Sequence, residues 1–308
     1  MTRSSLVAAA LLYASVAAAD SVALKSHTKD VDAVAVSSDG KRYASGGDDG
    51  ATVVWEGNAA IATRPSEDGA IDAVAFSPNG KLVAIGNQYG QLTLWDPTAN
   101  KELFSTKGNG RIVHIAFMPD GKSLYTGSSD QTIRFYDTAT GTEKAKLTGP
   151  KYQLYGLALS SDGKQLASCY SSGDVTMWST KTNKVGPTYN PVPKTSSNGA
   201  CHAVAFSSNG KALAAGFDDG TIVFMDASTG KELRRAKVAD SVNALAFAAD
   251  GKLAAGTQNE ELAIVDGAGA VTTKKGHGRP ILDVAFASDG KHLVSGSRDM
   301  TVRVWGFE

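Results

Sequence analysis

The 308-residue chain carries only two cysteines, Cys169 and Cys201, so neither a disulfide framework nor a multi-cysteine metal knuckle can hold it together. Charge of one sign is missing as well: 31 Lys and Arg meet 31 Asp and Glu. That balance withholds the basic field that nucleic acid or an anionic membrane surface would require. No Cys-x-x-Cys-His run is present to attach a haem, and no Asn-x-Ser/Thr sequon invites an N-glycan. No segment is apolar for long enough to cross a bilayer, and no transmembrane segment is expected.

The first nineteen residues stand apart. Arg3 gives a positive start, Leu6 to Ala19 is free of charge, and Ala17-Ala18-Ala19 places small residues before Asp20. This is the layout of a secretory signal peptide over residues 1–19, with the mature chain beginning at 20. It predicts a periplasmic or secreted protein. The alternative is a cytoplasmic or organellar chain whose start is an Ala-rich tail or a targeting peptide.

What the chain has in plenty is glycine, 33 in all, and it recurs in register. An Asp/Asn-Gly-Lys tripeptide places Gly at 40, 80, 121, 163, 210, 251 and 290, in steps of 40, 41, 42, 47, 41 and 39 residues. An alternating apolar stretch precedes each one, as in DAVAVSSDG and LDVAFASDG. Alternation marks a strand, and the Gly supplies the positive φ of a tight hairpin. A second strand then runs into Gly. A third ends on Trp55, Trp95, Tyr136, Trp178, Met225, Val265 or Trp305, and a less regular fourth leads onward.

These residues resemble the WD-repeat family from about Val22 to Trp305, although Trp95-Asp96 is the only literal Trp-Asp pair. The resemblance implies an all-β fold: a seven-bladed β-propeller of four-stranded antiparallel blades spanning residues 20–308. The chain stops after the third strand of the last unit, so residues 21–27 are expected to supply its outer strand and close the ring.

His27, Ser45, Asp49 and Trp55 share their spacing with His277, Ser295, Asp299 and Trp305. In the resembled family such a set is a buried hydrogen-bonded relay within a blade, which satisfies both ring nitrogens of the histidine. A hydrolase triad is the sharper alternative, but it needs a nucleophile facing a cleft and a separate oxyanion hole. The set occurs twice within the repeat frame, so no catalytic residue is assigned. The sequence reads as a non-enzyme. Blade 3 keeps Thr126 and Asp130 but ends in Tyr136, and blades 2 and 6 have lost the relay. His114, His202 and Asp283 fall on inner strands of blades that are not neighbours, so no metal and no cofactor is assigned.

Cys169 and Cys201 fall near one face in adjacent blades. A disulfide between them and two separate buried thiols fit equally well. The expanded 47-residue step between them contains the surplus Lys184 to Gly199, with three prolines and Tyr189. It reads as a tolerated loop, or as an element overhanging the loop face.

Partners of the resembled family sit on the face bearing the loops before each first strand and between the second and third. The frame carries Asp30, Asp32, Asp48, Asp72, Arg111, Tyr155, Tyr170, His202, Phe217, Asp218, Asn243 and Arg298 to that face. Acid concentrates in blades 1 and 2, and aromatics in blades 4 and 5. The expected function is an exported scaffold binding a protein or peptide, of basic or amphipathic character, with no nucleic acid. An exported propeller enzyme or small-ligand binder using the channel mouth is the alternative.

Overall fold

A computed structural model describes residues 21–66, 68–191 and 199–307. Among them are seven antiparallel sheets of four strands each, and no helix. Six blades are consecutive in sequence. The seventh combines Ile281–Phe286, His292–Ser297 and Thr301–Gly306 with Ser21–Lys25 as its outer strand. That first segment pairs antiparallel with the last, from Ser21 opposite Trp305 to Lys25 opposite Thr301, so the ring is closed as the sequence predicts. The proposed signal peptide, residues 1–19, lies outside the described residues.

The glycine of each hairpin has φ between 65° and 88°, as at Gly290 and Gly251, a region that side chains with a Cβ avoid. The Asp or Asn ahead of it accepts the backbone N–H of the following Lys, at 3.1 Å for Asp39 and 2.8 Å for Asp289. The repeated tripeptide is therefore a turn specification.

Blades pack through a glycine that the second strand presents to the next blade. A Cβ on Gly46 would lie 2.4 Å from Ile71 Cγ2, on Gly86 2.5 Å from Ile112 Cγ2, and on Gly216 2.4 Å from Val242 Cγ1. The bare backbone thus seats the first residue of the neighbouring inner strand, and those residues are essentially inaccessible to water.

Blade 4 departs from this rule in a compensated way. Cys169 stands where the others have glycine, and Cys201 stands where the next blade has Val, Ile or Leu. Volume added on one side is removed on the other. Both are free thiols, fully buried in one apolar cluster with Val204, Leu213 and Phe217. The Cys169 thiol donates to the Cys201 carbonyl at 3.1 Å and the Cys201 thiol to the Ala203 carbonyl at 3.5 Å. Of the two readings, the arrangement here is that of two buried thiols. Burial, with Cys169 beside it, pushes the Cys201 thiol well above its ordinary range.

Part of the 184–199 surplus is not loop at all. Lys184–Tyr189 is the outer strand of blade 4, and Pro187 is tolerated there because that strand is an edge. Tyr189 reaches sideways to blade 5, its hydroxyl 3.2 Å from the Ser228 carbonyl. Residues 192–198 of the surplus lie outside the described residues.

Candidate functional site

Each inner strand carries a bulge at its second residue. The ladder to the second strand skips Asp32, Asp72, Val113, Tyr155, His202, Asn243 and Leu282. A bulge leaves one residue unpaired and turns it out of the pleat. One backbone hydrogen bond recurs beside each. Asp48 N–H donates to the Asp30 carbonyl at 2.9 Å, Gln88 to Ala70, Ser129 to Arg111, Ser171 to Gln153, Asp218 to Ala200, Gln258 to Ser241 and Arg298 to Pro280. Thus three sequence positions per blade, far apart in the chain, form one layer at the mouth of the ring. The scaffold of this layer is constant while its side chains differ from blade to blade.

Acid gathers on one side of the mouth. Asp72, with a side chain only 2% exposed, takes Arg111 Nη2 on Oδ1 at 2.5 Å. Its Oδ2 and the Oδ2 of Asp32 are buried without a hydrogen-bond partner. Burial, then the charges of Asp48 and Asp72, push the Asp32 carboxyl up to about 8. Burial lifts Asp72 to about 6 although Arg111 pulls the other way. Asp30 stands 3.7 Å from Arg298 across the closure between blades 1 and 7.

The other side is aromatic. Tyr155 and His202 stack with ring centroids 4.7 Å apart, and His202 Nε2 bonds the Asp218 carboxylate. Asn243 donates to the Ile281 carbonyl at 2.9 Å and so ties blade 6 to blade 7.

Two of the residues expected at this face are elsewhere. Tyr170 and Phe217 are 0% exposed and are corrected to core residues. They occupy the position that is Gly47 in blade 1, where a Cβ would approach His27 Nδ1 to 3.2 Å. A side chain at this point enters the blade instead of leaving it. In blade 4 the Tyr170 hydroxyl lies 2.9 Å from Ser168 Oγ, which also accepts Trp178 Nε1 at 2.8 Å. Tyr170 thereby takes over the histidine's part in a relay that the repeat spacing does not reveal. Gly149 makes room for it, since a Cβ there would meet the Tyr170 hydroxyl at 2.8 Å.

The two expected relays are formed. Trp55 donates to Ser45 Oγ at 2.9 Å, the Ser45 hydroxyl faces His27 Nε2 at 2.8 Å, and His27 Nδ1 faces Asp49 at 3.0 Å. Blade 7 repeats this with 2.7, 2.7 and 2.8 Å. Ser45 and Ser295 are 0% exposed, so no substrate reaches either hydroxyl. Burial pushes Asp299 upward, but hydrogen bonds from His277, Thr301 and the Gly278 N–H outweigh it and hold the carboxyl far below its usual range. In blade 3, Asp130 turns to Arg134, a cation 6% exposed.

His114 and Asp283 lie one residue past the bulges and face the next blade. His114 Nε2 is 3.1 Å from the Tyr155 carbonyl, and burial lowers it to about 4. Asp283 accepts the N–H groups of Val34 and Val284, each at 2.8 Å, while burial raises it to about 7. These are clasps between neighbouring inner strands. The structure does not bring His114, His202 and Asp283 together.

Comparison with known proteins agrees with this architecture. The model described as "WD domain, G-beta repeat" matches residues 21–56 and 269–306, which meet in the closing blade and its neighbour. A second, described as "Outer membrane protein assembly factor BamB", matches residues 44–273. The chain belongs to the WD-repeat β-propellers, in the seven-bladed form. It is similar to Protein groucho of Drosophila melanogaster, 26% identical over 198 residues, which is 63% of this chain and 26% of that one. It is also similar to Coronin-7 of Mus musculus, 33% identical over 94 residues, covering 30% of this chain and 10% of the other. Matches therefore span about a quarter or less of these relatives.

Proposed function

We propose that this propeller is an exported scaffold that holds a protein or peptide partner across the mouth formed by the bulged residues, and performs no reaction of its own. The observation that carries this reading is the hydrogen-bonded layer shared by all seven blades. A fixed backbone there displays carboxylates, an arginine, an aromatic stack and an amide, which is how a repeat scaffold individualises one face. Tyr155 and His202 offer rigid contact area, and the acid sector offers charge complementarity. Export rests on the apolar stretch before residue 20, and the outer-membrane description of one matching family supports an envelope setting.

Capture of partners from the native envelope fraction tests the reading. Wild type should retain a partner that Tyr155→Ala with His202→Ala releases, while Lys122→Ala with Lys164→Ala, on the opposite face, keeps it. Retention by the first variant and loss by the second would move the site to the other face. Sequencing of the native N-terminus should begin at or near Asp20, and an intact Met1 on cytosolic protein would remove export from the proposal.

A further inference from the structure

We propose that the carboxylate cluster of Asp32, Asp48 and Asp72 at the mouth binds one organic cation, an arginine or lysine side chain of the partner. This rests on the loop-face reading above and names its anchor. Asp32 and Asp72 are the bulged residues of adjacent inner strands, and Asp48 lies within hydrogen-bonding reach of Asp32. These three carboxylates lie beside one guanidinium, Arg111, whose side chain is 50% exposed and pairs with Asp72 Oδ1. Asp72 Oδ2 and Asp32 Oδ2 are left buried without a donor. A protein normally satisfies such oxygens, because an unpaired buried acceptor is unfavourable. One further group rich in N–H donors would satisfy both, and a guanidinium or ammonium offers several donors along with its charge.

Burial and the neighbouring carboxylates favour the protonated form of Asp32. Asp32, raised to about 8, is mostly neutral at pH 7. A cation stabilises the carboxylate, so its binding expels that proton and tightens as pH rises. The charged groups that face Asp32 are Asp48 on its own blade, Asp72 from blade 2 and Arg111 from blade 3. Asp30 and Arg298 flank the same mouth, and Asp283 of blade 7 packs against the same inner strand through Val34.

The test titrates N-acetylarginine methylamide and N-acetyllysine methylamide into the full chain at pH 6, 7, 8 and 9, followed by NMR. The neutral analogue N-acetylnorleucine methylamide is the control. The Kd of at least one cation should fall roughly tenfold per pH unit from 6 to 8, one proton being released, and level off above. Which cation binds more tightly tells arginine from lysine. Asp32→Asn should abolish the pH dependence and weaken binding about tenfold or more, without lowering the melting temperature. Asp72→Asn should weaken binding as well. Equal binding of the neutral analogue, binding independent of pH, no binding of either cation at pH 8, or an Asp32→Asn variant that binds as wild type would each overturn the site. If the captured partner is kept by Asp32→Asn while both cation probes stay silent, the scaffold reading stands and the cation site falls.

Discussion

At the scale of single residues, this chain uses its polar side chains in two opposite ways. Ser45, Ser295 and their histidines are buried and hydrogen-bonded within their blades, where they stabilise the fold. Ser295→Ala or His277→Ala should lower unfolding free energy by about 1–3 kcal/mol, because each leaves a buried group unpaired. Tyr170→Phe should cost about 1 kcal/mol for the same reason in blade 4, and denaturant melts of the three variants check both. Asp32 and Asp283 behave in the contrary sense. Each holds a proton that the unfolded chain gives up near 3.8, so the folded state carries more protons from about pH 4 to about 7 or 8. Stability from these two groups is present below that window and is lost as pH rises through it. Asp32→Asn should therefore raise the melting temperature at pH 8 and leave it nearly unchanged at pH 4. An equal effect at both values would contradict the assignment. The relays were legible in the sequence because two complete copies share one spacing. Tyr170 was not, since the slot it fills is vacated by Gly149, and spacing along one chain does not reveal which neighbour fills a hole.

At the scale of elements, the blade is specified by turn glycines and the ring by seat glycines. Both were visible as recurrent Gly, but only the first had a local cause that the sequence could state. The seat glycines act on the next blade, where a Cβ would overlap Ile71, Ile112 or Val242. The same logic explains the two cysteines as an exchange of volume across the interface between blades 4 and 5. Cys201→Ile alone should overpack this interface and cost about 1–3 kcal/mol. Cys169→Gly with Cys201→Ile restores the arrangement of the other blades and should recover most of that loss. The double-mutant cycle from thermal unfolding should show coupling of at least about 1 kcal/mol. Additive effects would mean that the two sites do not share space. The bulges were harder to foresee. Alternation marks the inner strands, yet it does not show that the second residue drops out of the ladder.

At the scale of the molecule, the blade count and the closure were both legible, the count from seven steps near forty residues and the closure from a last unit lacking its fourth strand. The mouth was legible as a set of positions. Its inward and outward members were not, since Tyr170 and Phe217 lie one residue before loop positions that do face out. Three of the acids, Asp32, Asp48 and Asp72, do assemble on one side, with Arg111 beside them. The central claim is that a partner occupies this mouth. Site-specific photo-crosslinking tests it most directly, with benzoylphenylalanine placed at Gln88 or Gln258 on the loop face and at Lys122 or Lys164 on the opposite face, followed by irradiation in the native source. The account predicts partner adducts from Gln88 and Gln258 and none from the lysine positions. Adducts from Lys122 or Lys164 with none from the glutamine positions would contradict it.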